Sequence, residues 1–502
     1  MKSSLKDTGL YWRPLGGNNI DQISGHCYQY TCVWTRGGQN KYSSLLVDLG
    51  KFDNHQALGI QNSIAAVPDI REVLQDKELN LKALLLTHSH PDHLNGIIHY
   101  IRAGYKLPPL YGGRYTKMVL EDLYLRYQIG RTKQPDFVVV KNGDKFKCGR
   151  LEVEVISASH TCFDSFGYII SDGKTTVYHS GDMKTDQTTY FRRPTDLKRL
   201  QQLAGKINFV VADFCGIDND GTAWREADVL KALVKIIRKS RKNKIILPVY
   251  PTHVEMYVIA FLAALKLRKN VVFQGNEDFY AYLDILERYG IDFAKMANGK
   301  IRVFKTMPED PAELQGKFVV IGAFNDLNET LLAKPREIFA LITARTYFNP
   351  LKGQLNAHDI PFISLKDCPI LQGAGHGFLQ DWEIIRDILP QAVFIPMHCP
   401  HFVAESFRPL AEFLGFNMIR PIPENNYLFK LCGNQYQLLS KSPAVWMVAG
   451  EDGCLTEVWQ RATSGTGFLK RTFSRRRTVQ KFKMMLCQRR KTNAGNKIPQ
   501  TI

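Results

Sequence analysis

The segment THSHPDHLNG at residues 87–96 concentrates metal-binding side chains in one short turn. It places within six positions His88, His90, Asp92 and His93. Neutral imidazole is a ligand of Zn²⁺ and similar divalent ions, and a carboxylate offsets part of the ion's charge. A polar turn that is histidine-rich by chance is the alternative interpretation. Four ligand-type residues at this tight spacing favour a metal site instead.

Four predicted strands position this turn and three further candidate ligands. Each strand is a short apolar run that stops at a polar cluster, as buried strands do where they reach the edge of a sheet. The strands and the candidate ligands that follow them are Ala83–Leu86 with His88, Leu151–Ile156 with His160, Thr176–His179 with Asp182, and Ala392–Pro396 with His398. If these strand ends meet, the four ligands belong to one site.

Two kinds of sequence pattern divide the chain. Predicted strands separated by glycine turns dominate up to about residue 205, and a helix is predicted over Val67–Gln75. From residue 206 strands and helices alternate, which predicts a parallel α/β unit. Its predicted strands are Ile207–Ala212, Ile245–Val249 and Val271–Phe273, and its predicted helices are Arg225–Lys239 and Val254–Leu267. The alternation ends near Phe339–Thr343.

Length and composition predict a soluble protein of several domains. A chain of 502 residues exceeds what one hydrophobic core usually contains, and 44% hydrophobic and 23% charged residues are ordinary for a globular protein. No stretch reaches the ~20 apolar residues of a membrane span, and residues 1–13 lack an apolar signal core. The ten scattered cysteines form no CxxC pair, which favours reduced thiols in a cytoplasmic protein without a membrane partner.

The formal net charge of +18 indicates a polyanionic partner. Much of this charge lies in Lys441–Ile502, which contains thirteen Lys and Arg residues against three Asp and Glu residues. Clusters such as Arg475–Arg477 and Arg489–Lys491 predict a non-specific electrostatic arm for nucleic-acid phosphates. A solvated or disordered tail is the alternative interpretation. Whether the chain forms a homo-oligomer stays open.

The order and spacing of the candidate ligands resemble the metallo-β-lactamase superfamily. The HxHxDH motif at residues 88–93 is followed by a separate His160, by Asp182 in a Ser-Gly-Asp segment, and by His398 after a strand. These are the positions at which that superfamily carries metal ligands. The resemblance is carried by several separate motifs in a fixed order, so it is more specific than any one of them.

Further segments resemble the ribonuclease J family, in the nucleic-acid-processing β-CASP branch of the superfamily. Residues 180–187, SGDMKTDQ, are similar to the TGDFKxDQ segment of that family. Asp213, His376 and His398 lie where the branch carries its motifs A, B and C. The resemblance covers roughly residues 10–435.

The resemblance implies an α/β fold in which an αββα metallo-β-lactamase sandwich is interrupted by an inserted parallel α/β β-CASP domain. The active site is then expected in the cleft between the two. The implied segments are residues 1–205 and 346–436 for the two parts of the sandwich and 206–345 for the β-CASP domain. Beyond the resemblance, residues 437–502 are a basic C-terminal segment that is expected to be partly disordered.

The resemblance also implies two divalent metal ions. Zn²⁺ is the expected ion, with Mn²⁺ or Mg²⁺ as alternatives, because nitrogen and oxygen ligands accept each of them. The implied ligands are His88, His90 and His160 for one ion, Asp92, His93 and His398 for the other, and Asp182 between the two.

Other residues are expected to act around the ions. Asp92 and Asp182 are catalytic candidates, and His376 is the candidate proton donor and substrate contact, with a structural histidine at a helix start as its alternative. The residues expected to support the ligands from behind are Asp48, Asp164 and Asp213, and the candidate phosphate contact is Ser165. No role is assigned to His26, His55, His99, His179, His253, His358 or His401.

The function favoured by these features is hydrolysis of RNA phosphodiester bonds by a metal-dependent ribonuclease in RNA processing or decay. The resemblance implies 5′→3′ exonuclease action, with endonuclease action as a further mode. Single-stranded RNA is expected in the inter-domain cleft and on the basic C-terminal segment. Three alternatives stay open: a DNA-acting β-CASP nuclease, a small-molecule metallo-hydrolase such as a lactonase or thioesterase, and an RNA-binding protein without catalysis.

Overall fold

The protein is described here by a computed structural model. Strands and helices are numbered in chain order. The structure describes residues 4–18, 24–52, 63–323, 325, 327, 329–343, 348–459 and 475–495.

The first sheet has eight strands and carries the HxHxDH turn. In spatial order its strands are β22 (Gln435–Lys441), β21 (Tyr427–Cys432), β1 (Gly9–Gly16), β2 (Cys27–Arg36), β3 (Gln39–Val47), β5 (Leu81–Leu85), β6 (Leu110–Gly112) and β7 (Phe137–Val139). Because β3 and β5 are parallel while β2 runs antiparallel to β3, the ends of β3 and β5 and the start of β2 lie at the same edge.

The second sheet has seven strands and carries the other candidate ligands. In spatial order they are β20 (Asn417–Met418), β19 (Val393–Met397), β12 (Phe209–Asp213), β11 (Thr176–His179), β10 (Phe166–Ser171), β9 (Leu151–Ser157) and β8 (Lys145–Cys148). β11, β12, β19 and β20 are parallel. Their carboxyl ends therefore deliver Asp182, Asp213 and His398 to one edge.

Apolar side chains on the facing sides of the two sheets form the core between them. Leu45 and Leu85 from the first sheet are fully buried with Val177, Val211 and Ile395 from the second. Strands β12 and β19 are buried at every position, which explains why they read as continuous apolar runs rather than as alternating ones.

Helices cover the outer faces of both sheets and complete the predicted αββα sandwich. Those packed beside the first sheet are α1 (Arg71–Gln75), α2 (Pro91–Leu94), α3 (Gly96–Arg102) and α4 (Arg114–Arg126). Those packed on the second sheet are α5 (Leu197–Gln202), α12 (Leu379–Ile388), α13 (His401–Phe413) and α14 (Arg475–Gly495). Among the described residues, no helix combines the length and apolar character that crossing a bilayer requires.

A parallel α/β unit is inserted between β12 and β19, which pair directly with each other. Its six parallel strands are, in spatial order, β15 (Val303–Phe304), β14 (Asn270–Gly275), β16 (Phe318–Ala323), β13 (Lys244–Pro248), β17 (Ile338–Leu341) and β18 (Phe362–Ile363). Its helices are α6 (Glu226–Ser240), α7 (Val254–Lys266), α8 (Glu277–Tyr289), α9 (Phe293–Ala297), α10 (Glu329–Leu332) and α11 (Phe348–Ala357).

The first and last strands of the inserted unit are not those that the predicted segment, residues 206–345, contains. Strand β12, predicted as the first strand of the inserted unit, instead pairs with β11 and β19 inside the sandwich. Strand β18 lies beyond residue 345 and pairs with β17 of the inserted sheet. The sequence identified the apolar runs, but local sequence patterns do not indicate which strands they pair with.

Most of the described C-terminal segment forms ordered elements rather than a disordered tail. Strands β23 (Val445–Gly450) and β24 (Leu455–Trp459) form a three-stranded antiparallel sheet with β4 (Ser63–Pro68). Helix α14 packs on α13, where the Phe482 and Phe407 ring centroids are 5.4 Å apart. Residues 460–474 and 496–502 lie outside the described residues.

The helix predicted over Val67–Gln75 is wrong in its first part. Val67 and Pro68 belong to β4, where they pair with Met447 and Trp446, and the helix itself begins at Arg71. The pattern misled because the partner strand β23 lies near the other end of the chain.

Candidate metal centre

Main-chain contacts with the loop after β3 fix the HxHxDH turn. The backbone N–H of Leu49 donates to the carbonyl oxygen of His93 at 2.9 Å, and the N–H of Gly96 donates to the carbonyl oxygen of Leu49 at 2.9 Å. At Gly50 an added Cβ would lie 1.6 Å from the carbonyl oxygen of Asp92, so only glycine fits there. The ligand-bearing backbone is therefore held before any metal binds.

The first donor group joins both sheets and has all its donor atoms within 4.8 Å of one another. Its members are His88, His90, His160 and Asp182. The His160 Nε2 and His90 Nδ1 atoms are 3.1 Å apart, and His88 Nε2 lies 3.7 Å from Asp182 Oδ2. All four residues are buried. This is the set predicted to hold one ion, with the bridging aspartate beside it.

The second donor group adjoins the first and meets the same 4.8 Å limit. Its members are His26, Asp92, His93 and His398. The Asp92 Oδ2 atom lies 3.8 Å from His93 Nε2 and 3.7 Å from His398 Nε2. Three of the four were predicted, and His26 was missed. Because β2 runs antiparallel to its neighbours, the residue preceding it lies at the edge where β3 and β5 end, and this is the signal that could have found it.

Asp182 lies between the two groups. Its Oδ2 atom is 3.7 Å from His160 Nε2 and 3.4 Å from His93 Nε2, while its Oδ1 atom is 3.0 Å from His398 Nδ1. One carboxylate thus reaches a member of each group.

Residues behind the ligands orient two of the imidazole rings. The Asp48 Oδ2 atom is 2.8 Å from His93 Nδ1 and also accepts a hydrogen bond from the Thr87 hydroxyl at 2.7 Å. The Nδ1 atom of His160 donates to the carbonyl oxygen of Gly375 at 2.8 Å. Because a carbonyl only accepts, Nδ1 carries the proton and Nε2 keeps its lone pair for a metal, an arrangement common behind metal-bound histidines.

Burial sets the protonation of the cluster. It lowers the pKa of His88, His90 and His160 well below the usual range, and neighbouring imidazoles add to the effect. Burial opposes the ionised form of Asp182, but the surrounding imidazoles, that of His398 first, bring its pKa well below its usual value. Neutral rings and an ionised carboxylate are the states that metal binding requires.

The cluster fits a divalent cation by two observations. The Nε2 atom of His88 is buried and has no hydrogen-bond partner among the described residues, which leaves a lone pair aimed into the cluster. Burial opposes a charge on His93, yet the carboxylates of Asp182, Asp92 and Asp48 raise the pKa of His93 well above its usual value. These carboxylates carry negative charge that a bound cation would offset in place of the His93 proton.

His376 and Asp213 form a pair beside the donors. The Asp213 Oδ2 atom is 2.8 Å from His376 Nδ1, and Asp213 Oδ1 is 3.5 Å from His398 Nδ1. Burial opposes protonation of His376, but Asp213 and Asp182 raise its pKa to about 9. Asp213 was predicted to orient a metal-bound histidine, and its shortest contact with an imidazole is instead with His376.

The structure places the carboxylate of Asp164 away from the donors. It accepts hydrogen bonds from the Tyr115 backbone N–H at 3.0 Å and from the Tyr289 hydroxyl at 2.9 Å. Because Tyr289 belongs to α8, Asp164 ties the sandwich to the inserted unit. The hydroxyl of Ser165 donates to the carbonyl oxygen of Cys162 at 3.2 Å, so its predicted phosphate contact would compete with that bond.

Comparisons with known proteins agree with this architecture. A family model described as a Beta-lactamase superfamily domain matches residues 64–246. The crystal structure of a protein of unknown function from Enterococcus faecalis V583 superposes with a TM-score of 0.57 at 17% identity, over 85% of this chain and 100% of that chain. At this identity the likeness shows a shared fold.

Curated relatives are named ribonuclease J. That of Mycobacterium tuberculosis is 28% identical over 234 residues, which are 46% of this chain and only 40% of the relative. The chain therefore matches less than half the length of this relative. That of Synechocystis is 21% identical over 485 residues and covers 91% of this chain and 71% of the relative. The chain is thus similar to proteins named ribonuclease J and, over residues 64–246, to the β-lactamase superfamily.

Proposed function

We propose that the protein is a metal-dependent ribonuclease that hydrolyses phosphodiester bonds in single-stranded RNA. The observation that carries the proposal is the assembly of two adjoining donor groups beside an inserted α/β unit. Relatives named ribonuclease J on both short and long matched regions support RNA as the substrate.

Two bound divalent ions, with Zn²⁺ as the proposed species, would supply a nucleophilic hydroxide near neutral pH and offset the charge of the phosphodiester. The sandwich residues would hold the ions, and burial lowers the pKa of His88, His90 and His160, so these three rings are neutral before an ion binds. The proposed ligands are His88, His90 and His160 for one ion, Asp92, His93 and His398 for the other, and Asp182 for both.

His376 is the proposed proton donor to the leaving 3′-oxygen. Its Nδ1 atom is engaged by Asp213 at 2.8 Å, which orients the ring and leaves Nε2 as the atom that gives up the proton. The His376 side chain is 28% exposed, whereas the side chains of Asp182 and Asp213 are almost fully buried. The His376 side chain is therefore accessible to a substrate, whereas the buried carboxylates of Asp182 and Asp213 are not.

The proposed RNA path lies between the sandwich and the inserted unit. His253, at the start of α7, stacks on His90 with ring centroids 5.9 Å apart, so the inserted unit reaches the first donor group. We propose 5′→3′ exonuclease action along this path, with endonuclease action as a second mode. Because all ten cysteines are free, a reducing cytoplasmic setting is proposed as well.

The test is cleavage of a 5′-monophosphorylated, 3′-labelled single-stranded RNA, with a DNA copy in parallel. The variant Asp92→Asn removes a proposed metal ligand, and Asp172→Asn changes an aspartate in the turn after β10 as the matched control. Progressive shortening of RNA by the wild type and by Asp172→Asn, but not by Asp92→Asn, is expected. Cleavage of DNA alone would identify a DNA-acting nuclease, and intact RNA and DNA despite bound metal would contradict the proposal.

A further inference from the structure

We propose that His26 is a direct ligand of the second metal ion, alongside Asp92, His93 and His398. It is an addition to the seven ligands that the family resemblance implies. The inference rests on the metal-binding part of the proposed function and not on RNA cleavage.

The distances are those of a single coordination group. His26 Nε2 lies 3.8 Å from Asp92 Oδ2, matching the 3.8 and 3.7 Å that separate this oxygen from His93 Nε2 and His398 Nε2. Donors at metal bonds of ~2.1 Å in a tetrahedron are ~3.4 Å apart. The three distances to Asp92 Oδ2 are within a few tenths of an ångström of that spacing, and all four donor atoms lie within 4.8 Å of one another.

The main chain fixes His26 to the ligand turn. Its backbone N–H donates to the carbonyl oxygen of Asp92 at 2.8 Å, and its carbonyl oxygen accepts from the N–H of Gly50 at 2.9 Å. The ring is fully buried and stacks on His93 with centroids 4.1 Å apart. His26 and Asp92 therefore keep their relation to each other through the backbone.

The ring nitrogen that faces away from the donors has a defined partner. His26 Nδ1 lies 2.9 Å from the Tyr28 hydroxyl. A phenol oxygen can accept a hydrogen bond from Nδ1, which leaves the lone pair of Nε2 for a metal. An added Cβ at Gly17 would lie 2.3 Å from both atoms, so the pair is tightly enclosed. A metal-bound histidine commonly has its second nitrogen bonded in this way.

His26 changes the number of protein ligands at the second site. Because Asp182 is shared, the first ion would have four protein ligands and the second, with His26, five. A full set of protein ligands is typical of firmly held metal, whereas catalytic sites keep a position open. We therefore expect the second ion to be the more tightly held of the two.

The experiment is a Co²⁺ titration of the full-length metal-free protein, followed by visible absorption and by chelator competition. His26→Ala and His26→Asn remove the ligand, and Asn retains a polar group opposite Tyr28. His179→Asn is the matched control, because His179 is also buried and bonded to a tyrosine, Tyr30, but belongs to neither donor group. Circular dichroism of the metal-free variants identifies any that fail to fold.

The wild type and His179→Asn are expected to bind two Co²⁺ ions per chain. In the His26 variants one ion is expected to bind as before and the other more than about 100-fold more weakly, beyond the ~10–100-fold lost with a residue that only supports a ligand, and with a changed spectrum. Wild-type binding and spectrum in a folded His26 variant would overturn the inference. A wild type that binds Co²⁺ through His26 but cleaves no RNA would overturn the proposed function and leave the inference intact.

Discussion

Two buried polar clusters adjoin each other and differ in how completely their polar groups are paired. In the metal centre, imidazoles and carboxylates converge, and the Nε2 atom of His88 has no hydrogen-bond partner among the described residues. In the neighbouring cluster each charge meets an opposite one. We call it the ion network, and its members are Lys184, Asp186, Arg192, Glu226 and Glu255.

The ion network joins the two units of the fold. Lys184, from the sandwich, has its Nζ atom 3.3 Å from Oε1 of Glu255 in α7. Arg192 donates to Glu255 at 2.7 Å and also to Glu226 in α6. Because each of its charges has a partner, the ion network holds the inserted unit in place. In the metal centre the pairing is incomplete, as the Nε2 atom of His88 shows, and the donor atoms can bind a cation instead. Both clusters are polar and buried. The cluster whose charges all have partners stabilises the fold, and the cluster whose pairing is incomplete is the proposed metal site.

The largest effect is expected when the metal centre loses its shared carboxylate. Asp182→Asn should reduce metal content and bring RNA cleavage to background, because Asp182 reaches both donor groups. Asp186→Asn, four positions later in the ion network, should keep two metals per chain. Elemental analysis and RNA cleavage distinguish the two variants, and equal metal loss in both would break the comparison.

Removal of the proposed proton donor should affect chemistry without affecting metal binding. His376→Asn is expected to slow RNA cleavage by about 10²–10⁴-fold, the usual contribution of a positioned acid or base. Metal content should stay at two per chain, since His376 is not among the proposed ligands. Single-turnover rates and metal analysis provide the measurement. Loss of metal together with activity would assign His376 to the ligand set instead.

Disruption of the ion network should lower the free energy of unfolding and leave the metal content per chain unchanged. Arg192→Met leaves Glu226 and Glu255 buried without their shared guanidinium. Breaking a buried pair in this way costs about 3–5 kcal/mol in the free energy of unfolding. Urea unfolding tests this, with Arg193→Met at the neighbouring exposed arginine as the control. Unchanged stability in Arg192→Met would show that the network does not hold the two units together.

The smallest effect is expected on the surface of α14. Lys481 and Arg489 are paired with Asp218, Asp220 and Glu383, whereas the exposed basic residues available to RNA include Lys483, Arg490 and Lys491. Changing these three to Gln should flatten the dependence of log affinity on log salt by up to about 2, at ~0.7 per phosphate contact. Metal content and single-turnover cleavage at saturating RNA should not change.

A control for that prediction removes equal charge elsewhere, through Lys147, Lys174 and Lys300, all of them exposed. The slope for this control should match the wild type. An equal decrease in both triple variants would mean that net charge, rather than α14, governs RNA binding.

The sequence predicted the elements that carry local patterns. Continuous apolar runs identified β11 exactly and located β12, β13 and β19 to within two residues at each end. The HxHxDH turn was visible because its ligands are adjacent in the chain. Strand ends then indicated His160, Asp182 and His398, because parallel strands deliver their ends to one edge.

The features that the sequence did not predict depend on pairing between segments that are far apart in the chain. His26 lies at the start of an antiparallel strand, and its relation to Asp92 appears only when β2, β3 and β5 are ordered in the sheet. The pairing of β4 with β23 joins opposite ends of the chain, so Val67 was read as helical. Asp164 looked like a support for His160, but its carboxylate bonds Tyr289 across the junction with the inserted unit.

The most direct test of the account is a metal titration of RNA cleavage. Protein stripped by a chelator is supplied with stepwise Zn²⁺ or Mn²⁺, and cleavage of the 5′-monophosphorylated RNA is measured at each step beside the bound metal per chain. We expect no cleavage without metal and full cleavage only as the second equivalent binds. Full cleavage by the metal-free protein, or no cleavage with both equivalents bound, would contradict this expectation.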